Sequence, residues 1–417
     1  MKTYVVQGPT PLKGDVPISG AKNATLKLMA AALMVPGEVV LERVPRISDV
    51  SLMCEVLERL GVEVAFEGST LRIDATNEPK NEATYELVSK IRASIQVLGP
   101  LLARLGSARV SMPGGDAIGS RPIDLHLRGL ERMGAEFSSE HGYVEGVAAR
   151  LTGARVLLEF PSVGATETLL MAGTTAEGTT TIDNAAREPE IQDLAQFLNE
   201  AGARVLGAGT NTITIEGVAK LHPARHVVLP DRIEAGTYAI GAAATGGDVT
   251  LRDIRPGDME LVLQKLEDSG AEVTRETDSV RIRATGRPAP MDLVTLPYPG
   301  FPTDLQPPMM VLLAQATGPS ILTENVFEAR FIFVDELNRM GAQVRVEGHH
   351  AVIKGVERLT GAPVRAPDIR AGAALMLGGL SAHGETRIHD EGHIERGYED
   401  FVAKLEGLGA VVSVTEG

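Results

Sequence analysis

The octapeptide LERLGVEV at residues 57–64 returns five more times along the chain with small changes. The later copies are LERMGAEF (130–137), LNEAGARV (198–205), LEDSGAEV (266–273), LNRMGAQV (337–344) and LEGLGAVV (405–412). Their glycines, Gly61, Gly134, Gly202, Gly270, Gly341 and Gly409, are spaced by 73, 68, 68, 71 and 68 residues. Each copy is typical of a helix that ends at a C-cap glycine and leads into a strand. Six α/β repeats are therefore predicted.

An apolar helix is predicted ahead of each octapeptide. The six helices begin near Lys22, Arg92, Gly164, Arg232, Asp304 and Arg370, where a turn gives way to a run such as LKLMAAALM or AALMLGGL. These runs are too apolar and too rich in small residues for a surface helix, so we expect them at the centres of their domains. Four of the six starts carry a cation, and helix N-termini favour anionic ligands.

A second glycine precedes each octapeptide, at Gly37, Gly106, Gly178, Gly246, Gly318 and Gly384, and several of these open a strand. The second repeat is clearly longer than the others between its two glycines, 28 residues against 23 to 25. Its extra residues lie in the glycine-rich stretch SMPGGDAIGSRP at 111–122. An insertion confined to one repeat indicates function more often than structure, and its glycines favour a mobile loop.

The two ends of the chain are predicted to share a domain. The start, YVVQGPTPLKGDVPISG at 4–20, matches the end of a repeat such as ITIEGVAKL, whereas the sixth repeat stops at VSVTEG. The N-terminal strands are therefore expected to complete the last repeat. This predicts one α/β domain from residues 20–230 and a second, discontinuous α/β domain from residues 1–19 and 231–417.

Composition excludes several classes of partner. The net charge of −15 argues against nucleic acid, which needs a broad basic surface, and aromatic residues make up 4% of the 417 residues, without tryptophan. The polar start indicates no secretory signal, and the longest apolar run, Leu28 to Val35, is too short to span a membrane. The single cysteine, Cys54, suits the cytosol and is expected to pack as a small buried residue. We expect a cytoplasmic monomer that binds small molecules.

Nine motifs together resemble a known family. They are ISGAKNA, IRASI, PGGDAIGSRPIDLH, SVGATET, AAREPEI, LPDRIEAGT, FPTDLQ, NVFEARF and IERGYE, in this order along the chain. Each is weak alone, but the set resembles the UDP-N-acetylglucosamine enolpyruvyl transferases. The resemblance implies two inside-out α/β domains of three repeats each, with the substrates in the cleft between them. It also implies transfer of the enolpyruvyl group of phosphoenolpyruvate to the sugar 3-hydroxyl, without a metal or an organic cofactor.

The resemblance places phosphoenolpyruvate on Lys22, Asn23, Arg121, Arg370 and Arg396. Cations suit this ligand because it carries a phosphate and a carboxylate. Taken alone, each arginine is more often a salt-bridge residue, and Lys22 has a solvated surface lysine as its alternative.

The resemblance places the sugar nucleotide on residues from five stretches of the chain. They are Arg92, Arg121, Pro122, Ile123, Asp124, Leu125, Ser162, Val163, Gly164, Asp304 and Val326. Asp124 has an alternative as an ordinary first-turn carboxylate facing the helix dipole. Val326 would be assigned to the core by the sequence alone, so its role depends entirely on the resemblance.

Four residues are expected to be catalytic: Lys22, Asp116, Asp304 and Arg396. Asp304 would accept the proton of the sugar hydroxyl, although a carboxylate at a helix start is also stabilised there by the dipole. Asp116 occupies the position of the cysteine that is the family's usual proton donor. A carboxyl group donates a proton only when protonated, and an ordinary aspartic acid, with a pKa of about 3.9, is mostly ionised near neutrality.

Two other functions compete. One is enolpyruvyl transfer to shikimate 3-phosphate, by a sister transferase with the same fold. The other is a non-catalytic repeat protein that binds sugar nucleotides. His383, His389 and His393 lack the fixed spacing of a ligand set, so a metal site is not expected.

Overall fold

The computed structural model describes residues 2–83, 92–112, 118–119 and 123–416. Contacts divide the chain into two compact units. The terminal unit consists of Met1–Ser19, Asp116–Ser120 and Pro230–Gly417, and the mid-chain unit consists of Gly20–Gly115 and Arg121–Leu229. Each unit has a hydrophobic core of its own.

Most of the strands are short. They are β1 (Lys2–Gly8), β2 (Lys13–Pro17), β3 (Glu38–Glu42), β4 (Glu63–Glu67), β5 (Thr70–Asp74), β6 (Glu82–Ala83), β7 (Ser107–Ser111), β8 (Glu136–Glu140), β9 (Tyr143–Val147), β10 (Arg155–Leu157), β11 (Thr179–Asp183), β12 (Arg204–Leu206), β13 (Thr212–Glu216), β14 (Ala224–Val227), β15 (Asp248–Arg252), β16 (Glu272–Arg275), β17 (Ser279–Arg283), β18 (Leu293–Thr295), β19 (Pro319–Glu324), β20 (Gln343–Glu347), β21 (His350–Lys354), β22 (Pro363–Arg365), β23 (Gly384–Asp390) and β24 (Val411–Glu416).

The helices alternate with these strands. They are α1 (Lys22–Ala32), α2 (Ser48–Arg59), α3 (Leu98–Leu105), α4 (Asp124–Arg132), α5 (Val163–Gly173), α6 (Pro189–Glu200), α7 (Arg232–Thr245), α8 (Glu260–Asp268), α9 (Gln306–Leu313), α10 (Val334–Arg339), α11 (Ile369–Ser381), α12 (Ile394–Gly397) and α13 (Phe401–Gly407). Among the helices that the structure describes, none combines the length and the apolar character that a membrane span requires.

Each unit contains three four-stranded sheets within the described ranges. Their strand orders are β14-β3-β5-β4, β6-β7-β9-β8 and β10-β11-β13-β12 in the mid-chain unit, and β16-β17-β15-β2, β18-β19-β21-β20 and β22-β23-β1-β24 in the terminal unit. In every sheet, one edge strand comes from the preceding repeat of the same unit and pairs in parallel with its neighbour. In the mid-chain unit, β14 from the third repeat pairs in this way with β3 from the first. The α/β class and the six repeats are confirmed.

The N-terminal strands go to two different sheets. β1 lies between β23 and β24 and pairs antiparallel with both, so it completes the sixth repeat as predicted. β2 does not belong to that sheet; it is the parallel edge strand beside β15, with Val16 opposite Leu251. The reason is the strand exchange: the last strand of a repeat always pairs with the sheet of the next one.

The six octapeptide glycines adopt the left-handed backbone conformation expected of a helix C-cap. Their φ angles lie between 87° and 96°. A side chain would strain the backbone in this region, so glycine is the residue that ends the helix at each of these positions.

Six helices form the interior of the two units. In the terminal unit, α7, α9 and α11 pack against one another, and in the mid-chain unit α3 packs against α5. Two of the predicted helices begin with a 3₁₀ turn, at Arg92–Val97 and Thr303–Leu305. Prolines near the start of the α-helix that follows, Pro100 in α3 and Pro307 and Pro308 in α9, explain the tighter turn because proline has no N–H to donate to the carbonyl four residues earlier and its ring crowds that carbonyl.

The contact between α3 and α5 predicts that Gly99→Ala destabilises the protein. A Cβ at Gly99 would lie 2.9 Å from the backbone oxygen of Thr168, which cannot move without shifting α5. We expect the free energy of unfolding to fall by about 1–3 kcal/mol, measured by urea denaturation.

Gly407→Ala is the matched control, because Gly407 ends α13 and a Cβ there meets no atom within 4 Å. This change is expected to leave stability unchanged or to raise it by up to about 1 kcal/mol, since alanine favours helix. Equal stability of the two variants would contradict the packing explanation.

Candidate functional site

Lys22 begins α1 and is buried rather than solvated. Its residue is 7% exposed, and its Nζ lies 2.8 Å from Oδ2 of Asp49, which is 3% exposed and sits in the first turn of α2. An ammonium group has three N–H donors, and this ion pair orients the one of Lys22 at the helix start. Asn23, the next residue, is half-buried. The alternative of a solvated surface lysine is wrong.

The turn at Ser162–Gly164 is held by a network of side-chain hydrogen bonds. Ser162 caps α5, and its Oγ accepts a hydrogen bond from the backbone N–H of Ala165. The amide of Gln96 donates to the carbonyl of Gly164 at 3.2 Å and to Glu167 at 3.1 Å. Because these bonds fix the first turn of α5, the backbone N–H groups of this turn are held in a fixed direction.

Gly164 has a packing reason to be glycine. A Cβ at this position would lie 2.9 Å from Cε1 of His126. His126 is itself fixed, because its Nδ1 lies 2.8 Å from the hydroxyl of Thr168, which donates to Gln96. The network therefore indicates that Nδ1 of His126 carries the proton.

The stretch at residues 121–125, which is predicted to bind the sugar nucleotide, is described only in part. Ile123 is buried, Asp124 and Leu125 are half-buried, and the carboxylate of Asp124 pairs with Arg128 one turn later in α4. This pair agrees with the simpler alternative for Asp124, a carboxylate that stabilises the start of its helix.

Several predicted residues cannot be placed. Asp116, Arg121 and Pro122 lie outside the described residues, and so does the side chain of Arg92, whose backbone begins the 3₁₀ turn before α3. Their assignments stay predictions.

Two described residues of the glycine-rich loop pack within the terminal unit. The carbonyl of Ile118 accepts a hydrogen bond of 3.2 Å from the N–H of Ala329. Gly119 has a φ of 133°, and a Cβ there would lie 2.6 Å from the carboxylate of Glu328. This part of the loop therefore lies against the turn that follows β19.

Asp304 is held by two arginines in the terminal unit. Nη2 of Arg330 donates to Oδ1 of Asp304, while Nη2 and Nε of Arg370 donate to Oδ2 at 3.0 and 3.2 Å. Burial alone would raise the pKa of Asp304, but the charges and hydrogen bonds of Arg370 and Arg330 outweigh it and hold the pKa well below its usual range. In this arrangement, Asp304 is an ionised carboxylate and a weak base.

Arg370 is placed by the start of α11 and by an aromatic ring. Asp368 caps the helix by accepting from the backbone N–H groups of Arg370 and Ala371 at 2.8 and 2.9 Å. The guanidinium lies 5.1 Å from the ring centre of Tyr398, whose hydroxyl is 3.0 Å from that of Thr237. Arg396 lies in the short helix α12 and is half-buried.

Val326 lies in the turn after β19 and is half-buried, so it is not a core residue. The buried carboxylate of Glu324 accepts from the N–H groups of Val326 and Phe327 at 2.8 and 3.0 Å. It also accepts from the hydroxyls of Thr295 and Thr303 at 2.8 and 2.9 Å. Glu324 thus ties the turn of Val326 to the segment that carries Asp304.

Two groups of side chains emerge from the described residues, one in each unit. Lys22 and the turn at Ser162–Gly164 belong to the mid-chain unit, and Asp304, Arg370 and Arg396 belong to the terminal unit. Sequence analysis missed Asp49, Glu324 and Arg330. Arg330 lies inside the motif NVFEARF. An arginine in this motif with no assigned role was the feature of the sequence that could have identified it.

A metal site and a reactive cysteine are the two remaining possibilities, and neither finds support among the described residues. No group of three or more His, Cys, Asp and Glu side chains that could hold a metal occurs in the part of the chain that the structure describes. Cys54 is half-buried rather than fully buried, and burial raises the pKa of its thiol to about 12. A thiol with this pKa is not a nucleophile near neutrality.

The chain is similar to known carboxyvinyltransferases over nearly its whole length. The family model of EPSP synthase (3-phosphoshikimate 1-carboxyvinyltransferase) matches residues 6–405. The UDP-N-acetylglucosamine 1-carboxyvinyltransferase of Mycobacterium tuberculosis is 52% identical over 409 residues, which cover 98% of both chains. UDP-N-acetylglucosamine 1-carboxyvinyltransferase 2 of Carboxydothermus hydrogenoformans is 52% identical over 414 residues and 99% of both chains.

Solved structures show the same fold. The enolpyruvyl transferase NikO from Streptomyces tendae superposes with a TM-score of 0.89 at 27% identity, covering 100% of this chain and 99% of its own. EPSP synthase from Acinetobacter baumannii, with a TM-score of 0.78 at 21% identity and full coverage of both chains, shares the fold. The chain therefore belongs to the enolpyruvyl (carboxyvinyl) transferase family, and within it to the UDP-N-acetylglucosamine 1-carboxyvinyltransferases.

Proposed function

We propose that this enzyme transfers the enolpyruvyl group of phosphoenolpyruvate to the 3-hydroxyl of UDP-N-acetylglucosamine and releases phosphate. The observation that carries the proposal is the 52% identity, over 98% of the chain, with relatives named for this activity. An ionised carboxylate beside two buried guanidinium groups supports it, because the reaction needs a proton acceptor and binding sites for anions.

The reaction consists of an addition followed by an elimination. The sugar hydroxyl adds to the central carbon of phosphoenolpyruvate and loses its proton, while the methylene carbon gains one. The tetrahedral intermediate then loses phosphate and a proton, which restores the double bond. We assign the hydroxyl proton to Asp304 and protonation of the methylene carbon to Asp116, with Lys22, Arg121, Arg370 and Arg396 on the anionic groups.

The pairing of these cations has a consequence for binding. Lys22 is paired with Asp49, and Arg370 is paired with Asp304. Phosphoenolpyruvate must therefore compete with, or share, cations that already have carboxylate partners. Because paired cations remain charged and oriented, little reorganisation is needed once the anion arrives.

In the cell, this reaction would be the first committed step of peptidoglycan synthesis, in the cytoplasm, and would serve cell-wall biogenesis, cell shape and cell division. We place the enzyme there as a monomer that acts on two small molecules.

Phosphate release distinguishes the candidate functions. Purified protein with phosphoenolpyruvate and UDP-N-acetylglucosamine is expected to release phosphate, whereas shikimate 3-phosphate in place of the sugar nucleotide is expected to release none. The second acceptor is the matched control, because it shares the donor and the chemistry. Release with shikimate 3-phosphate alone would replace the proposal by the sister reaction, and release with neither would favour the sugar-nucleotide-binding protein.

Asp116→Asn tests the proton donor. An amide cannot donate a proton to carbon, so we expect turnover to fall by about 100-fold or more, measured as phosphate release. Binding of UDP-N-acetylglucosamine, measured by calorimetry, should stay near the wild-type value. Asp278→Asn, at an exposed residue of the terminal unit, is the control. Near-normal turnover of Asp116→Asn would reject Asp116 as donor.

Resistance to epoxide antibiotics follows from the same residue. A carboxylate is a weaker nucleophile toward such epoxides than the cysteine thiolate of other family members. We expect no time-dependent inactivation of the wild-type protein by an epoxide that alkylates this cysteine, and sensitivity in Asp116→Cys. Rapid inactivation of the wild type, with an adduct at residue 116 in the mass spectrum, would contradict the prediction.

A further inference from the structure

Arg330 is a buried arginine whose anionic partner, within the described residues, is Asp304. It is 1% exposed and ranks among the largest fully buried side chains among the described residues. Its Nη2 donates to Oδ1 of Asp304, its guanidinium lies 5.8 Å from the ring centre of Phe327, and its backbone N–H donates to the carbonyl of Phe327 at 3.1 Å. Its position is thus fixed from both the side chain and the backbone.

The two oxygens of Asp304 are divided between two arginines with different surroundings. Oδ1 accepts from Arg330, which belongs to the turn after β19, and Oδ2 accepts from Arg370 at the start of α11. The turn of Arg330 is itself anchored, because Glu324 binds its first N–H groups. Arg370 lies at a helix N-terminus, where an anionic ligand is favoured.

Release of Arg370 would leave Asp304 in need of another counter-charge. A buried carboxylate that loses its only cation pays a large desolvation penalty and takes up a proton instead. A protonated Asp304 could not accept the proton of a hydroxyl group. With Arg330 in place, one guanidinium remains on Oδ1, and the other oxygen becomes available to a hydroxyl.

We propose that Arg330 is a positioning residue that holds Asp304 charged and oriented while Arg370 turns from Asp304 to the anionic donor substrate. This inference rests on the proposed function, since it needs a donor that carries a phosphate and a carboxylate. The donor substrate thereby prepares the base: it draws Arg370 from Oδ2 and leaves Oδ2 for the acceptor hydroxyl. Arg330 itself touches neither substrate.

The pH dependence of the reaction reports on this role. Asp304 accepts a proton only when ionised, so activity is lost as the pH falls through its pKa. Arg330 lowers this pKa together with Arg370. Removal of the Arg330 charge must raise it and move the acid limb of the pH profile of kcat, measured with both substrates saturating, to higher pH.

Arg330→Met and Arg330→Lys test the inference. For Arg330→Met we expect kcat to fall by about 100-fold and the acid limb to rise by about 1–3 pH units, with a smaller change in KM for phosphoenolpyruvate. Arg330→Lys keeps the positive charge but loses the planar guanidinium group. Its acid limb should therefore move less than that of Arg330→Met, and its kcat should lie between those of the wild type and Arg330→Met. Arg339→Met is the control, because Arg339 lies in the neighbouring α10 and pairs with Glu336 at the surface.

Wild-type kcat and an unmoved acid limb in Arg330→Met would overturn the inference. A lower kcat with an unmoved limb would also overturn it, because it would show a structural role only. If Arg330→Met does not fold, Arg330→Lys decides by the same two criteria. An active wild type with normal Arg330 variants rejects this inference alone, whereas a wild type inactive with both substrates rejects the proposed function and this inference with it.

Discussion

Burial of the central helices is the constraint on which the rest of this structure depends. A helix buried from its first turn carries its N-terminal charges inside with it, and each charge then needs a counter-charge nearby. The structure supplies them: Asp49 for Lys22 at α1, and two arginines for Asp304 before α9. Where pairing is less complete, protonation shifts instead: burial raises the pKa of Glu234 in α7 to about 7 despite Lys404 at 2.6 Å. The candidate site is built from such buried pairs.

Much of the fold was predictable because its signals are local. A glycine with a positive φ ends a helix whatever surrounds it, so the six octapeptides located six helix ends and six strands. The destination of β2 was not predictable in the same way, since its partner β15 lies far away in the sequence and is chosen by strand exchange between repeats. Pro100 and Pro307 are local signals for the 3₁₀ turns before α3 and α9. The repeat pattern nevertheless predicted an ordinary helix start at both places.

The candidate site was predicted less completely, and the reason is again the distance along the chain. Resemblance indicated Lys22, Asp304 and Arg370 but not the counter-ions Asp49 and Arg330, because an ion pair leaves no mark in the spacing of either partner. Gly164 shows the converse case. It was assigned as a nucleotide contact, and the structure adds that His126 leaves no room for a side chain there. Asp116, Arg121 and Pro122 lie outside the described residues, so the proton donor stays a prediction from the sequence.

The central claim is that an anionic donor takes over a cation that a carboxylate holds in its absence. The most direct test is a crystal structure of the protein with phosphoenolpyruvate and UDP-N-acetylglucosamine bound, trapped in the inactive Asp116→Asn variant. The account predicts that the guanidinium of Arg370 contacts the donor and that Arg330 remains on Oδ1 of Asp304. A donor bound away from Arg370, with both guanidinium groups still on Asp304, would contradict it.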